Sequence, residues 1–416
     1  MGTSRDATLA RIAREHGTPC FVYFMQEVSD RVALVRDHFG GRFHVSYAMK
    51  SNPNLGLLSR MRRHCDFLDI SSGGELQRAM QAGWATDLIS FTGPAKRRAE
   101  LEAAVEHGVG EIVVESVTEA TILNEVARQA GICQPILVRI APQRMPRGFG
   151  VNMAGKPTQF GIDEEQVDEA FAALRSLPGI SVEGLHIYSG SQCLDAVSIA
   201  ENYGIFVEIF RRICGQHGLA PRKLIFGSGI GIPYHENNKP VELSVIAPQV
   251  NTLLDDLRGE SRFANTSLVL ETGRYLVGEA GVYLTRVLYR KVSRGSIICI
   301  CDGGMNHHLG ACGHLGGVLQ RNYPIFKVGA GPGEPTETVD LVGPLCTSID
   351  TLGQRVALPA SQVGDVMGIA CSGAYGVSAS PVDFISHDRP AEYVVEGAGQ
   401  EVAICDVSHK PAALET

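Results

Sequence analysis

Short β-prone runs recur eight times over the first two-thirds of the chain, at residues 43–49, 67–70, 88–91, 111–115, 135–140, 182–187, 223–226 and 267–271. Longer segments separate them, most with helical periodicity, as at 74–82, 96–107, 117–130 and 164–177. Eight strands alternating with helices is the count of a (β/α)8 barrel. A doubly wound open sheet alternates in the same way, so the count alone leaves both architectures open.

The polar residues favour the barrel, whose active site lies at the C-terminal ends of its strands, with phosphate commonly held after strands seven and eight. Lys50 follows strand one, Asp69 and Ser71 strand two, Tyr188 and Ser191 strand six, Gly227-Ser228-Gly229 strand seven, and Glu271 and Arg274 strand eight, with Arg139 inside strand five. Lys50 ends an apolar run through Phe43, Val45, Tyr47 and Met49. A buried ammonium must be paired or lose its charge, and a lysine with a lowered pKa is a nucleophilic amine able to add to a carbonyl. The alternative is a lysine that emerges into solvent at the strand end. Glu271 and Arg274 together suit a pyridine cofactor, a carboxylate for the ring nitrogen and a guanidinium for its phosphate; a surface ion pair is the plainer reading.

Beyond about Gly278 the helical rhythm stops. Runs at 282–292, 296–301, 338–342, 355–358, 366–370, 391–395 and 401–405 read as strands, giving an all-β domain completed by an N-terminal strand at 19–24 after a helix near 8–16. The expected division is a barrel over 25–275 and a β-domain from 1–24 with 276–416, its tail at 410–414 frayed.

A net charge of -8 and pI near 5.9 argue against general nucleic-acid binding. No apolar run approaches a membrane span, and residues 1–6 lack the core of a signal peptide, so no membrane and a cytoplasmic location are expected. Eleven cysteines without a CxxC pair read as reduced thiols. Two motifs are decoys. Residues 150–156 have GxxxxGK spacing but continue with Pro157 where a phosphate loop needs Ser or Thr. His307, His308, Cys312 and His314 collect soft ligands in a glycine-rich run without an evident supporting carboxylate, so no metal is assigned and a flexible loop near the site entrance is expected. Gly227-Ser228-Gly229-Ile230-Gly231 suits either a phosphate cradle or a plain turn; Ile232 and Pro233 set it apart from a dinucleotide fingerprint.

Seven stretches in order, Tyr47-Ala48-Met49-Lys50-Ser51-Asn52, Ser72-Gly73-Gly74-Glu75-Leu76, Gly190-Ser191-Gln192, the glycine loop, Glu271 to Tyr275, Gly343-Pro344-Leu345-Cys346 and Gly373-Ala374-Tyr375-Gly376, resemble the fold-type III PLP-dependent decarboxylases, the diaminopimelate and ornithine decarboxylase family. The likeness runs from about residue 18 to 395. It implies that Lys50 carries pyridoxal 5'-phosphate, that Glu271 faces the pyridine nitrogen, and that Gly227, Ser228, Gly229, Arg274 and Tyr375 surround the phosphate with Ser191 nearby. It further implies that Asp69 and Arg139 line the cofactor, and that Cys346, crossing from the partner subunit of a head-to-tail homodimer with shared sites, returns a proton to Cα.

Three departures bear on the substrate. Tyr188 stands where the family has a histidine stacked on the ring, and Thr347 where an acidic residue binds a distal amine. The usual Arg-Pro-x-x-Tyr-like stretch gives way to a run ending at Arg321-Asn322-Tyr323-Pro324, placing Arg321 and Tyr323 with Thr347 among the expected substrate contacts. A neutral hydroxyl cannot pair with an ammonium. These departures resemble the branch acting on an aminoacyl group tethered to an acyl carrier protein, such as the glutamyl-carrier-protein decarboxylase of butirosin assembly. They imply a glutamyl or aspartyl-type substrate in natural-product biosynthesis, with Lys96, Arg97 and Arg98 as candidates for meeting an acidic carrier. The alternatives are decarboxylation of free diaminopimelate, ornithine or lysine, and a non-catalytic PLP-fold regulator, against which intact Lys50, Glu271 and Cys346 argue.

Overall fold

The computed structural model describes residues 3–314, 321–331, 333–397 and 402–408; the tail at 410–414 and part of the loop leading to Tyr323 lie outside them. The described residues fall into two compact units, one built from Asp30–Ile232 and Lys239–Tyr275, the other from the chain before Asp30, Pro233–Asn238 and the chain from Leu276.

All eight anticipated strands close the first unit into a parallel barrel: His44–Ala48, Phe67–Ile70, Ile89–Phe91, Glu111–Val114, Gln134–Ala141, Ile180–Ile187, Lys223–Gly227 and Ser267–Thr272. Each pairs with the next, and Ser267–Thr272 returns to His44–Ala48 with Glu271 opposite Ser46. This is the (β/α)8 architecture. Two of its helices begin with the same device: Ser72 and Ser116 accept the Glu75 and Glu119 N–H groups, while those glutamates accept from Ser71 and Glu115 backbone N–H. The Ser72–Glu75 motif is thus a helix start directly above a strand end. A separate two-stranded antiparallel ribbon, Phe149–Asn152 with Gly190–Cys193, lies outside the expected pattern.

The second unit is sheet-rich. Cys20–Phe24 sits between Gly281–Ser293, antiparallel, and Ala391–Glu396, parallel. Its alternate residues Cys20, Val22 and Phe24 join Val282, Leu284, Tyr393 and Val395 under the opening helix Thr3–Glu15, which contributes Leu9 and Ile12. Fully burying a side chain such as Leu9 or Ile12 stabilises by about 1.5–3 kcal/mol. No helix among the described residues is long and apolar enough to cross a membrane.

The run from His307 to Cys312 corrects the expectation of a flexible loop: His307, His308 and Cys312 are buried. His308 Nε2 donates to Ser372 Oγ at 2.9 Å while its Nδ1 accepts from the Ala311 N–H at 3.3 Å, which makes it a neutral packing element. Burial pulls its pKa down to about 3 from 6.5. The stability this neutral ring supports is complete above its unfolded pKa and declines as pH falls below that value, because only the unfolded chain accepts the proton. Between pH 7 and 5 one such histidine removes about 2 kcal/mol. His308→Gln should recover most of that loss, measured as unfolding free energy at both pH values against wild type.

Candidate active site

Val113, Leu137, Ile225 and Val269 form a buried cluster with Phe67 packed against it. In a strand, residues two apart share a face, so the next positions on that face are Glu115, Arg139, Gly227, Glu271 and Asp69. The apolar barrel core is therefore capped, one step toward the C-terminal ends, by a layer of charge. His186, directly across from Arg139 and Ile225, joins it.

This layer is buried and largely paired within itself. Arg139 Nη1 donates to Glu115 Oε1 at 3.0 Å, and both side chains are almost wholly buried. Glu115 also accepts from the Gly93 and Gly161 N–H groups, each at 2.9 Å, and the Arg139 guanidinium lies 4.7 Å from the Phe160 ring centre. Glu271 Oε2 is 2.9 Å from His186 Nε2. Burial would raise the Glu271 pKa, but the hydrogen bond from His186 and then the charges of Lys50 and Arg139 hold it below the usual carboxylate value. Asp69 is pushed the other way, well above its ordinary value, by burial and next by the Glu271 charge, despite Lys50 and the Thr92 hydroxyl that donates to its Oδ1. Two neighbouring carboxyls are thus pushed in opposite directions, Glu271 toward the ionised form and Asp69 toward the protonated one.

Lys50 stands above this layer in the single turn Met49–Ser51. Hydroxyl groups fix that turn: Ser51 donates to Ala48 O at 2.9 Å and Tyr47 to Asn52 O at 2.9 Å. Lys50 is half-buried, and its Nζ lies 5.2 Å from the centre of the Tyr188 ring. Tyr188 reaches this place because Gly227 has no side chain; a Cβ there would lie 2.3 Å from the ring. Past Gly227, the Ser228 N–H donates to Glu271 O at 2.9 Å and the Tyr203 hydroxyl to Ser228 O at 2.9 Å. Gly229 turns the chain at φ +67°, a conformation glycine adopts without strain. Ser191 lies on the two-stranded ribbon opposite Val151, and Arg274 opens the turn after the last strand.

In the sheet unit Cys346 is solvent-exposed. The loop bearing it is tied to Asp350, whose carboxylate accepts from Leu345 N at 2.8 Å and Met305 N at 2.6 Å; Thr347 N donates to Leu345 O at 2.8 Å. Tyr323 packs on Tyr234 with ring centres 4.7 Å apart, Arg321 is exposed, and Tyr375 adopts φ 54°.

Lys96 is a correction. Its ammonium is buried against Glu119 at 2.6 Å and the Gly93 and Val113 carbonyls, so it braces the barrel and is inaccessible to a protein partner. Arg98 pairs with Glu125, and Arg97 remains exposed beside Glu100. Glu115, Thr92 and His186 were absent from the sequence-derived site. Glu115 and His186 carry a signal, since each stands two residues beyond an inward Val113 or Gly184 in a strand otherwise apolar at its core.

Residues 25–278 match the pyridoxal-binding domain of the pyridoxal-dependent decarboxylases. The chain is 34% identical over 401 residues to an L-glutamyl-[BtrI acyl-carrier protein] decarboxylase of Niallia circulans, covering 95% of this chain and 93% of that one. It is 30% identical over 397 residues to the diaminopimelate decarboxylase of Zymomonas mobilis, covering 94% and 91%. Among solved structures, diaminopimelate decarboxylase from Helicobacter pylori complexed with L-lysine superposes with a TM-score of 0.85 at 28% identity, covering 97% of both chains.

Proposed function

We propose that this chain, which belongs to the pyridoxal-dependent decarboxylase family, removes the α-carboxyl of a glutamyl or related acidic aminoacyl group held on an acyl carrier protein. It is a PLP-dependent amino-acid decarboxylase. The barrel residues fit that cofactor by their chemistry: an amine at a strand end, a buried carboxylate held ionised, and polar atoms such as Asp69 Oδ2 and Ser46 Oγ that are buried without a partner among the described residues. Bound PLP supplies an electron sink for the pair left at Cα when carbon dioxide departs.

In this reading Lys50 holds the cofactor through Nζ and Tyr188 offers a neutral aromatic face beside it. Glu271 keeps the ring nitrogen protonated. Gly227, Ser228, Gly229, Arg274, Ser191 and Tyr375 receive the phosphate, while Asp69 and the Glu115-braced Arg139 line the remaining wall. Cys346 Sγ delivers a proton to Cα, and its exposure in the single chain suits service to the site of a second copy in a homodimer. Thr347, Arg321 and Tyr323 contact the substrate. Cys346→Ala should reduce turnover by about 10²–10⁴-fold while PLP binding persists; unchanged turnover would remove the thiol from the reaction.

What supports the carrier-bound substrate most is Thr347, a neutral residue beside the proposed acid, since a free diamino acid brings a distal ammonium that needs a counter-charge. The 34% likeness to a glutamyl-carrier decarboxylase points the same way. Carbon dioxide release compared between glutamyl-carrier protein and free diaminopimelate, ornithine and lysine tests the assignment. The carrier-bound substrate should lead; faster release from a free diamino acid would overturn it.

A further inference from the structure

His186 lies in the sixth barrel strand, Ile180–Ile187, with a side chain only 1% exposed. Charged neighbours surround it: Glu271 on the eighth strand, Arg139 on the fifth and Glu115 at the end of the fourth, while Lys50 after the first strand also acts on Glu271 and the Glu271 charge acts on Asp69 of the second. Burial pulls the imidazole pKa below its usual value despite Glu271, so the ring is neutral. A neutral ring facing a carboxylate carries its proton on Nε2, and Nε2–H donates to Glu271 Oε2. Nδ1 is then an acceptor, buried and without a partner among the described residues. A buried group left half-satisfied calls for a reason, and the satisfied half here is the bond to Glu271.

Glu271 and Asp69 are two buried carboxyls, the charge of Glu271 raising the proton affinity of Asp69, and a pair of this kind favours one charge over two. Desolvation alone does not decide which oxygen pair carries it. The donors differ, however: Asp69 receives a hydroxyl from Thr92, whereas Glu271 receives an imidazole N–H fixed by packing. We propose that His186 is a positioning residue that selects Glu271, rather than Asp69, as the ionised carboxylate at the cofactor's ring nitrogen. The inference rests on Glu271 being the partner of that nitrogen. With Oε2 committed to His186, Oε1 serves the ring, and Asp69 remains a neutral acid.

The test uses full-length protein stripped of PLP and titrated with PLP. His186→Leu removes the donor and keeps bulk; His186→Gln restores an N–H at the distance of Nε2. Folding is checked by thermal melt. His186→Leu should weaken PLP binding at least about ten-fold and move the acid limb of binding up by about one pH unit or more, because an undonated Glu271 protonates earlier. His186→Gln should stay within about three-fold of wild type. A folded His186→Leu with wild-type affinity and acid limb overturns the proposal. If that variant does not fold, imidazole nitrogen shifts in wild-type protein decide: a neutral Nε2–H tautomer between about pH 6 and 8 supports the selection, and a cationic or Nδ1–H ring refutes it. Glu271→Gln separates the two layers of inference. If it leaves PLP affinity unchanged, Glu271 is not the ring partner and the functional reading fails; if it weakens binding while His186→Leu does not, only the role of His186 fails.

Discussion

Lys50→Ala releases carbon dioxide at least roughly 10³-fold more slowly than wild type, with the barrel intact and PLP bound more weakly. The size follows from what the amine does: it is the one side chain on the described barrel mouth proposed to hold the cofactor through a covalent bond and to return to that bond after each turnover. The fold should tolerate the change. Lys50 is half-buried, and the turn it occupies is secured by Ser51 and Tyr47 hydrogen bonds that do not involve the lysine. Steady-state carbon dioxide release and a thermal melt on the same preparation check both halves. Near-wild-type turnover in a folded variant would disqualify Lys50.

Glu271→Ala is expected to lower turnover by roughly 10²–10⁴-fold, the equivalent of breaking a buried charge pair at about 3–5 kcal/mol and one decade of rate per 1.36 kcal/mol. Glu271 is wholly buried and yet held ionised, a state that His186, Lys50 and Arg139 sustain together. Such an arrangement is expensive unless the charge is used. In the proposed site the ring nitrogen would then lack an anionic partner, and the electron sink would weaken. Glu271→Ala also strands the His186 N–H, so a modest fall in stability accompanies the rate loss. Glu271→Gln keeps an acceptor for His186 and removes only the charge, and it should reproduce most of the rate loss without the stability change. A glutamine variant with wild-type turnover would show that the carboxylate charge is not used.

The barrel was legible because its signal is periodic and repeated: all eight expected runs form the parallel strands of one closed barrel. The sheet unit was legible in outline, though Ile325–Lys327 is too short to stand out; in the barrel unit, the strand Phe149–Asn152 was hidden in a segment weighed as a phosphate loop. Local charge was less readable. Lys96, first of three consecutive cations, looks like surface in sequence, and only the fold reveals that Glu119, beyond the helix Arg98–Glu106 and the strand Glu111–Val114, buries it. His307 and His308 mislead for the same reason, since a glycine-rich run reads as mobile while tertiary packing makes it a core segment. Glu115 and His186 went unread because one follows and the other sits within a largely apolar strand, and each pairs with a residue from a different strand, Arg139 and Glu271, that no linear spacing brings near. The lesson lies in the two-residue period: once Phe67, Val113, Leu137, Ile225 and Val269 are known to face one core, the residue two further along each strand names the site.

Borohydride reduction of PLP-loaded protein, followed by digestion and mass mapping of the modified lysine, tests the central claim most directly, because it fixes the covalent link wherever it lies. The account predicts the label on Lys50, in the peptide carrying Tyr47 to Asn52, and its absence in Lys50→Ala. A label on another lysine, or none on a protein that still releases carbon dioxide, would contradict it.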